Sequence, residues 1–365
     1  MENKTNQNFS IINLAKIELP IPTETKIRGK EYISYGEDNN YPAFLYKLYN
    51  ECSDHQSIID GMVSYTVGNG IQTTNQSLLK FFKKVNDEGE TIDDISKKLL
   101  LDYEIFGGFA MLVTPNQMEE LYSIEYLDFM KCRLSEDEKS VYYSDKGWEN
   151  KYKVDTKVYP VFDSKKINKQ SIFYFTGFKS RGIYPVPKYN GALKSIMTLT
   201  EIDNFHLNNV ANGFQPSTIV NFNNGIPTVE QMSQIEKKIN DKFSGTKGSK
   251  ILINFAESKE KAAEIIKLDM DNFGDQFNTL FKTVQNTIFT AHKVTSPALF
   301  GIKQEGTGFS KTEFMESFDI FNNTVVKSNQ NMYIDVLYKF LKNYFTDIQK
   351  SDITITPYVL QNNIE

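Results

Sequence analysis

Apolar residues recur at three- and four-residue spacing in the last quarter of the chain. Phe273, Phe277, Leu280, Phe281, Val284, Ile288 and Ala291 fall on one helical face, and that face is expected to be buried. Pro297, in Thr295-Ser-Pro-Ala-Leu-Phe-Gly301, is expected to end this helix, because proline lacks the amide donor and pushes the preceding residue out of helical geometry. A loop with glycines at 306 and 308 follows, Lys303–Phe309. Ser310 then opens a second helix, with Glu313 at the capping-box position and Phe309 and Phe314 placed as a hydrophobic staple. Its stripe is Phe314, Phe318, Phe321, Val325, Met332, Val336, Phe340 and Phe345, interrupted by polar Ser328–Asn331. No glycine or proline intervenes before Pro357. The pattern predicts one helix from Ser310 to Ile348, about 55–60 Å long at 1.5 Å per residue.

Upstream, Tyr35-Gly-Glu-Asp-Asn-Asn-Tyr-Pro42 reads as a turn before a helix that begins near Pro42. Ser53 with Gln56 forms a potential capping box for a helix carrying Ile58, Ile59, Met62 and Tyr65, stopped by Gly68-Asn-Gly70. A further helix, Ile92–Phe106, ends at Gly107-Gly108 and leads into a strand, Phe109–Val113. From Leu121 to Phe178 the period shifts to two. Tyr122–Tyr126, Ser140–Tyr143, Lys151–Val154, Val158–Phe162 and Ile172–Phe175 are expected to be short strands between charged turns. A helix over 191–212 follows, apolar at Leu193, Ile196, Leu199, Ile202 and Phe205. A small αβ unit comes next, with strand Ser217–Phe222, a helix opened by Thr228 and Gln231 and carrying Ile235, Ile239 and Phe243, and strand Ile251–Phe255. The fold class is α+β.

Composition narrows the chemistry. The chain has 365 residues, enough for two or three modules, and its 40% hydrophobic content fits a globular class. No apolar run reaches the length of a membrane span, and the N-terminus lacks a charged-then-apolar signal pattern, so a cytoplasmic chain is expected. Two cysteines, Cys52 and Cys132, provide neither a disulfide framework nor a CxxC pair. The net charge of −5 argues against a tight sequence-reading DNA-binding domain, which carries a basic footprint. His55, His206 and His292 stand far apart, with no HExxH or HxH spacing, and read as ordinary polar residues on helices. Gly306-Thr-Gly-Phe-Ser-Lys311-Thr312 fails as a phosphate loop, since Glu305 and Ser310 occupy the two glycine positions and no strand precedes it. No catalytic, metal or cofactor residues are assigned.

Four stretches carry a resemblance. Tyr35–Pro42, Tyr184-Pro-Val-Pro-Lys-Tyr-Asn-Gly-Ala192, Phe205-His-Leu-Asn-Asn-Val-Ala-Asn-Gly-Phe-Gln-Pro-Ser217 and Val294–Gly301 occur in this order. In that order they resemble the landmarks of portal proteins of tailed bacteriophages, particularly those of Bacteroidetes phages and prophages. The resemblance covers about residues 32–348. It implies a portal-type fold with a mixed α/β wing, a two-helix stem, a small αβ clip and a long C-terminal helix. On this chain the parts would be a flexible N-terminal arm (1–31), the wing (32–188), stem helix 1 (189–213) and the clip (214–269). Stem helix 2 (270–293), the tunnel-loop region (294–309), the long wing helix (310–348) and a C-terminal strand and tail (349–365) complete it, with the crown short or absent.

The function implied is a homo-oligomeric ring, usually a dodecamer, at one capsid vertex, through which double-stranded DNA is packaged and ejected. Lys303, Gln304, Glu305, Gly306, Thr307 and Gly308 would form the tunnel loop in the DNA channel. Lys237, Lys238 and Lys242 would offer the clip face to the terminase large subunit and the head-tail adaptor. A major capsid or scaffolding protein is a further implied partner. No membrane contact is implied, and the implied location is the virion, with assembly in host cytoplasm. Two alternatives share some features. One is a metal-dependent nuclease or nucleotidyltransferase using Asp269 and Asp271, which read more simply as acids favouring a helix N-terminus. The other is a head-to-tail adaptor ring.

Overall fold

A computed structural model describes residues 19–26, 29–148, 154–179, 182–211, 218–222, 228, 230–231, 233–235, 251–255, 273–303 and 310–358. The chain forms two compact units, one running to Lys194 and resuming at Phe289, the other Ser195–Ile288.

The first unit opens with helices α1 (Tyr41–Glu51) and α2 (Ser53–Val67), strand β1 (Ile71–Thr73) and helices α3 (Gln76–Lys83) and α4 (Ile92–Phe106). Pro42 sits in the first turn of α1, where its missing amide is no loss. The expected Ser53–Gln56 box does not form; α2 starts one residue earlier in phase, with Cys52 at the cap and the Gln56 amide donating to the Cys52 carbonyl. Thr91 and Asp94 do form a reciprocal box at the start of α4. Gly107 ends α4 at φ 84°, and a Cβ there would meet the Val186 carbonyl oxygen at 2.8 Å.

Strands β2 (Gly108–Pro115), β3 (Leu121–Leu127), β4 (Cys132–Leu134), β5 (Ser140–Tyr143), β6 (Lys157–Pro160) and β7 (Ser171–Thr176) follow. They make two antiparallel sheets, ordered β3-β2-β7 and β4-β5-β6, linked by a parallel bridge from Val161 to Ile172. Of the expected strand Lys151–Val154, residues 151–153 lie outside the described residues and Val154 is in no strand.

The second unit holds most of α5 (Leu193–Ala211) and α6 (Phe273–Ala291), with β8 (Thr218–Phe222) and β9 (Ile251–Phe255). β8 and β9 pair in parallel, Thr218 beside Ile251 through Phe222 beside Phe255. Parallel pairing requires a crossover between them. Thr228 and Gln231 exchange the two hydrogen bonds of a capping box at the expected helix start, while Ile239 and Phe243 lie outside the described residues. On α6 the expected face is only partly buried. Val284 and Ile288 are enclosed, whereas Leu280 is 47% exposed. Pro297 does not end α6, which stops at Ala291; Lys293 at φ 57° closes it, and Pro297 instead begins a 3-10 turn, Pro297–Phe300.

The long C-terminal helix departs most from the sequence pattern. It comprises α7 (Lys311–Phe321), a π-helical turn (Asn322–Val326) and α8 (Lys327–Leu341). A π turn inserts one residue and so rotates everything after it. Before the turn Phe318 and Phe321 are buried, as the spacing predicts. From its last residue onward the buried apolar residues are Val326, Tyr333, Leu337, Phe340 and Leu341, while Val325 is only partly buried and Met332 and Val336 pack partly buried against the core's margin. Asn323 and Thr324 donate to the carbonyls of Asp319 and Ile320, which helps satisfy the widened turn. The helix stops at Leu341 and not at Ile348, because Phe345 packs on Phe81 and Ile348 is buried, which pulls the chain back into the core. It returns as β10 (Ile353–Ile355), antiparallel to β1.

Within the expected flexible arm, residues 23–26 are held by their own chain, Thr23 and Thr25 accepting the amides of Gly36 and Ser34. Glu24 accepts the amides of Ile183 and Tyr184, both at 2.9 Å, and Lys26 bridges to Ile33. Next to this contact, two stretches far apart in sequence close around Arg133. Its side chain, 1% exposed, donates to Asn39 Oδ1 (2.6 Å) and to the carbonyls of Asn39, Met130 and Cys132. The guanidinium also lies 4.8 Å from the Trp148 ring. Asn39, at φ 62°, accepts the Tyr35 amide with the same Oδ1. Tyr35 stacks flat on Tyr184 at 4.1 Å and donates its hydroxyl to the Pro185 carbonyl. Tyr184 in turn donates to the Ile33 carbonyl and accepts the Leu134 amide.

Two substitutions test these assignments. Arg133→Met keeps much of the volume and removes every donor, leaving buried carbonyls unpaired. It should cost about 3 kcal/mol or more in urea unfolding, at roughly 1–3 kcal/mol per orphaned group. A loss below about 1 kcal/mol would mean that those oxygens find other partners. On α8, Leu337→Ala should cost about 2–4 kcal/mol and Val336→Ala about 1 kcal/mol or less. The reverse order would place the core face where an uninterrupted α-helix puts it.

Candidate functional site

Of the expected tunnel loop, Lys303 is described and exposed, while Gln304, Glu305, Gly306, Thr307 and Gly308 lie outside the described residues, as does Phe309 of the expected staple. The expected docking lysines Lys237, Lys238 and Lys242 also lie outside them, as do Asp269 and Asp271. Both stems of the loop are described, and they converge on one aromatic cluster.

On the entry side, the 3-10 turn delivers Phe300 against Gly61 of α2, where a Cβ would approach the ring to 2.4 Å. A residue without a side chain is therefore needed at 61 for this contact. Phe300 stands edge-on to Tyr65 and to Phe321, with centroids 6.0 and 5.4 Å apart. The Tyr65 hydroxyl donates to the Leu299 carbonyl at 2.7 Å, and Thr295 donates to Ser317 of α7 at 2.8 Å. On the exit side, Ser310 caps α7 by accepting the Glu313 amide, one half of the expected box. Phe318 and Phe321 then pack on Tyr65. The loop thus leaves and rejoins a fixed base.

The polar stretch Ser328–Asn331, an interruption by sequence, proves to be an attachment. Lys188 Nζ lies 3.0 Å from both Glu104 Oε1 and Asn329 Oδ1, and Asn329 Nδ2 donates to the same Glu104 oxygen at 3.0 Å. Gln330 donates to the Thr66 carbonyl at 3.1 Å, and the Tyr333 hydroxyl pairs with Ser96 at 2.7 Å. These bonds pin α8 to α2 and α4 in one rotational setting. They also hold the π turn in place, since relaxing it to α would require α7 or α8 to rotate.

Two histidines read by sequence as unrelated are partners. His55 Nδ1 and His292 Nε2 are 3.0 Å apart, both rings are buried, and Tyr189 stacks on His292 and meets His55 edge-on. Nothing in spacing could reveal a pair 237 positions apart. Burial holds both neutral. His292 is pushed down to about 3, by burial first and the nearby Lys188 charge second, and His55 well below its ordinary value by burial and by His292. His206 is exposed on α5. Among the described residues no group of three or more His, Cys, Asp or Glu side chains could hold a metal ion, and no helix is long and apolar enough to cross a membrane.

No family model and no curated sequence matches this chain. Solved structures do. A chain of the neck of an empty gene transfer agent (GTA) particle, computed with C6 symmetry, aligns over 88% of this chain and 85% of its own, with TM-score 0.56 and 12% identity. A chain of the native GTA virion aligns over 87% and 83%, with TM-score 0.56 and 13% identity. An HK97-family phage portal protein from Corynebacterium diphtheriae aligns over 82% and 90% at TM-score 0.46 and 9% identity, a likeness too slight to define the fold. At 12–13% identity the first two establish a shared fold: the mixed helix-and-strand architecture is that of chains from GTA particles, one of them from the neck.

The histidine pair makes stability pH-dependent. Both folded pKa values lie below the unfolded value near 6.5, so the unfolded chain binds more protons once pH falls beneath it. Stability should be full well above pH 6.5 and decline toward pH 3, with a loss of about 2 kcal/mol for each histidine by pH 5. Urea midpoints measured from pH 8 to 5 would show this. His292→Gln should flatten the decline, and an unchanged slope in that variant would assign it to other groups.

Proposed function

We propose that this chain is a portal-type ring subunit of a tailed-phage or phage-like particle, of the Bacteroidetes type its sequence landmarks resemble. Copies form the ring at one capsid vertex, double-stranded DNA passes through the centre, and the terminase large subunit and head-tail adaptor dock on the clip. The observation that carries this reading is the likeness to chains of the GTA neck and virion over more than four-fifths of each chain. The four sequence landmarks point the same way independently of it.

The physical chemistry supports a conduit. Each basic contact to phosphate adds a salt-dependent holding energy, so a channel that must let DNA slide is better served by a mildly acidic chain; the net charge here is −5. A ring repeats every residue, which turns Lys303 and Glu305 into neighbouring circles of opposite charge with weak net attraction for phosphate. The exposed apolar side chains Leu207 and Leu280, on the helices assigned to the stem, suit surfaces buried between copies. ATP hydrolysis belongs in this scheme to the terminase motor.

Negative-stain images and native mass spectra of purified protein should show closed rings with a central hole. A protein that stays monomeric at all concentrations would count against the proposal. Deleting Gln304–Thr307 should leave rings intact and reduce DNA-filled capsids at least tenfold, whereas charge reversal at Lys237, Lys238 and Lys242 should weaken motor docking alone. Normal filling in the deletion would remove the loop from the mechanism.

A further inference from the structure

An amine, a carboxamide and a carboxylate meet beside α8. Lys188 in the connection Tyr184–Ala192, Glu104 on α4 and Asn329 on α8 come from three separate stretches of the first unit. Glu104 and Asn329 are 5% and 7% exposed. The Lys188 ammonium lies 4.4 Å from the centre of the buried Tyr103 ring. An ion pair between Lys188 and Glu104 needs no third member, yet here an amide is hydrogen-bonded to both ions. Its orientation is fixed by chemistry: the ammonium can only donate and so faces Oδ1, while the carboxylate can only accept and so faces Nδ2.

This places every atom of a condensation reaction within reach. One oxygen, Glu104 Oε1, lies 3.0 Å from the lysine nitrogen and 3.0 Å from the amide nitrogen. Asn329 Cγ is a single bond of about 1.2 Å from the Oδ1 that Lys188 Nζ already touches. We propose that Lys188 and Asn329 condense into an isopeptide bond, with Glu104 carrying the protons.

The step needs no oxidant, metal or cofactor. A proton passes from Nζ to Glu104 Oε1 and leaves a neutral amine, the nucleophilic form of lysine. The amine attacks Asn329 Cγ, forming the new C–N bond and a tetrahedral centre. Glu104 then gives its proton to Nδ2 and takes a second proton from Nζ. The Cγ–Nδ2 bond breaks, and ammonia leaves with that last proton as ammonium. Aminolysis of an amide is slow in water, but holding the two groups together can reach effective concentrations of about 10⁵–10⁸ M. The Lys188 side chain is 43% exposed and shares a cleft of about 640 Å³ with Glu104 and Asn329, so ammonia escapes and the reverse reaction stops. The bond ties α8 to the Tyr184–Ala192 connection across 141 positions and makes the rotational setting beyond the π turn permanent. This inference rests on the three side chains and does not require the ring.

Mass spectrometry of the denatured full chain tests it. The intact mass should fall below the sequence mass by one ammonia. Peptide mapping should find a branched peptide joining the Lys188 and Asn329 segments, with no tryptic cut after Lys188. Glu104→Gln keeps the shape and removes the proton carrier, and should lower the yield of branched peptide about a hundredfold. Asn329→Ala should abolish it. The full sequence mass after prolonged incubation at neutral pH would overturn the proposal. Ammonia lost without a branched peptide, or equal yield in Glu104→Gln, would overturn it too. The map of the unaltered chain decides whether the bond exists, so a variant that folds poorly leaves the test intact.

Discussion

A guanidinium removed from water without a carboxylate beside it must find amide oxygens, and Arg133 finds them in two separate segments. Burial lowers its pKa from the ordinary arginine value, yet the group remains a cation that no rearrangement of the fold can leave unpaired cheaply. The conformation of the Tyr35–Pro42 turn follows from this demand. Asn39 adopts a left-handed conformation that asparagine tolerates, and so presents both its side-chain and its main-chain oxygen to one arginine. Tyr35 and Tyr184 stack above it, which brings the connection at Tyr184–Ala192 alongside the turn. Lys188 is then in place to reach Glu104 and Asn329, so the setting of the long helix depends on the same chain of contacts.

What is legible in the sequence is what acts within a turn or two. Helix Ile92–Phe106, its glycine stop, the Thr228–Gln231 box and the two strands β8 and β9 all announce themselves through neighbours in sequence, while the parallel pairing of those strands does not. The Ser310 cap, one frame of the candidate loop, is legible for the same reason. Features set by distant partners are not. The histidine pair and the β1–β10 pairing have no local signature. Arg133 looks like one more charge in a polar strand until its surroundings close over it. The long helix shows a subtler failure: its apolar residues allow two stripes one place apart, Val325–Met332–Val336 and Val326–Tyr333–Leu337. The spacing selects the first, because it continues the phase of Phe314, Phe318 and Phe321. Tertiary polar bonds from Asn329, Gln330 and Tyr333 select the second, and the π turn absorbs the difference.

The aromatic cluster under the loop has a different character from the polar knot at Arg133. Tyr65, Phe300, Phe318 and Phe321 meet mostly edge-on, contacts that bury area and fix ring orientation without demanding a unique hydrogen-bond partner. The knot makes one arrangement of the chain obligatory, while the cluster supplies a firm footing whose position depends on the helices that carry it.

That footing bears on how such a chain can change over generations. When both ends of a loop are already held, the entropy of closing it grows only with the logarithm of its length, about 0.6 kcal/mol for each doubling. Residues inserted or lost between Lys303 and Ser310 therefore leave the capped helix and the packed 3-10 turn undisturbed. The segment can thus vary in length and composition while the scaffold stays constant, without first solving the folding problem again.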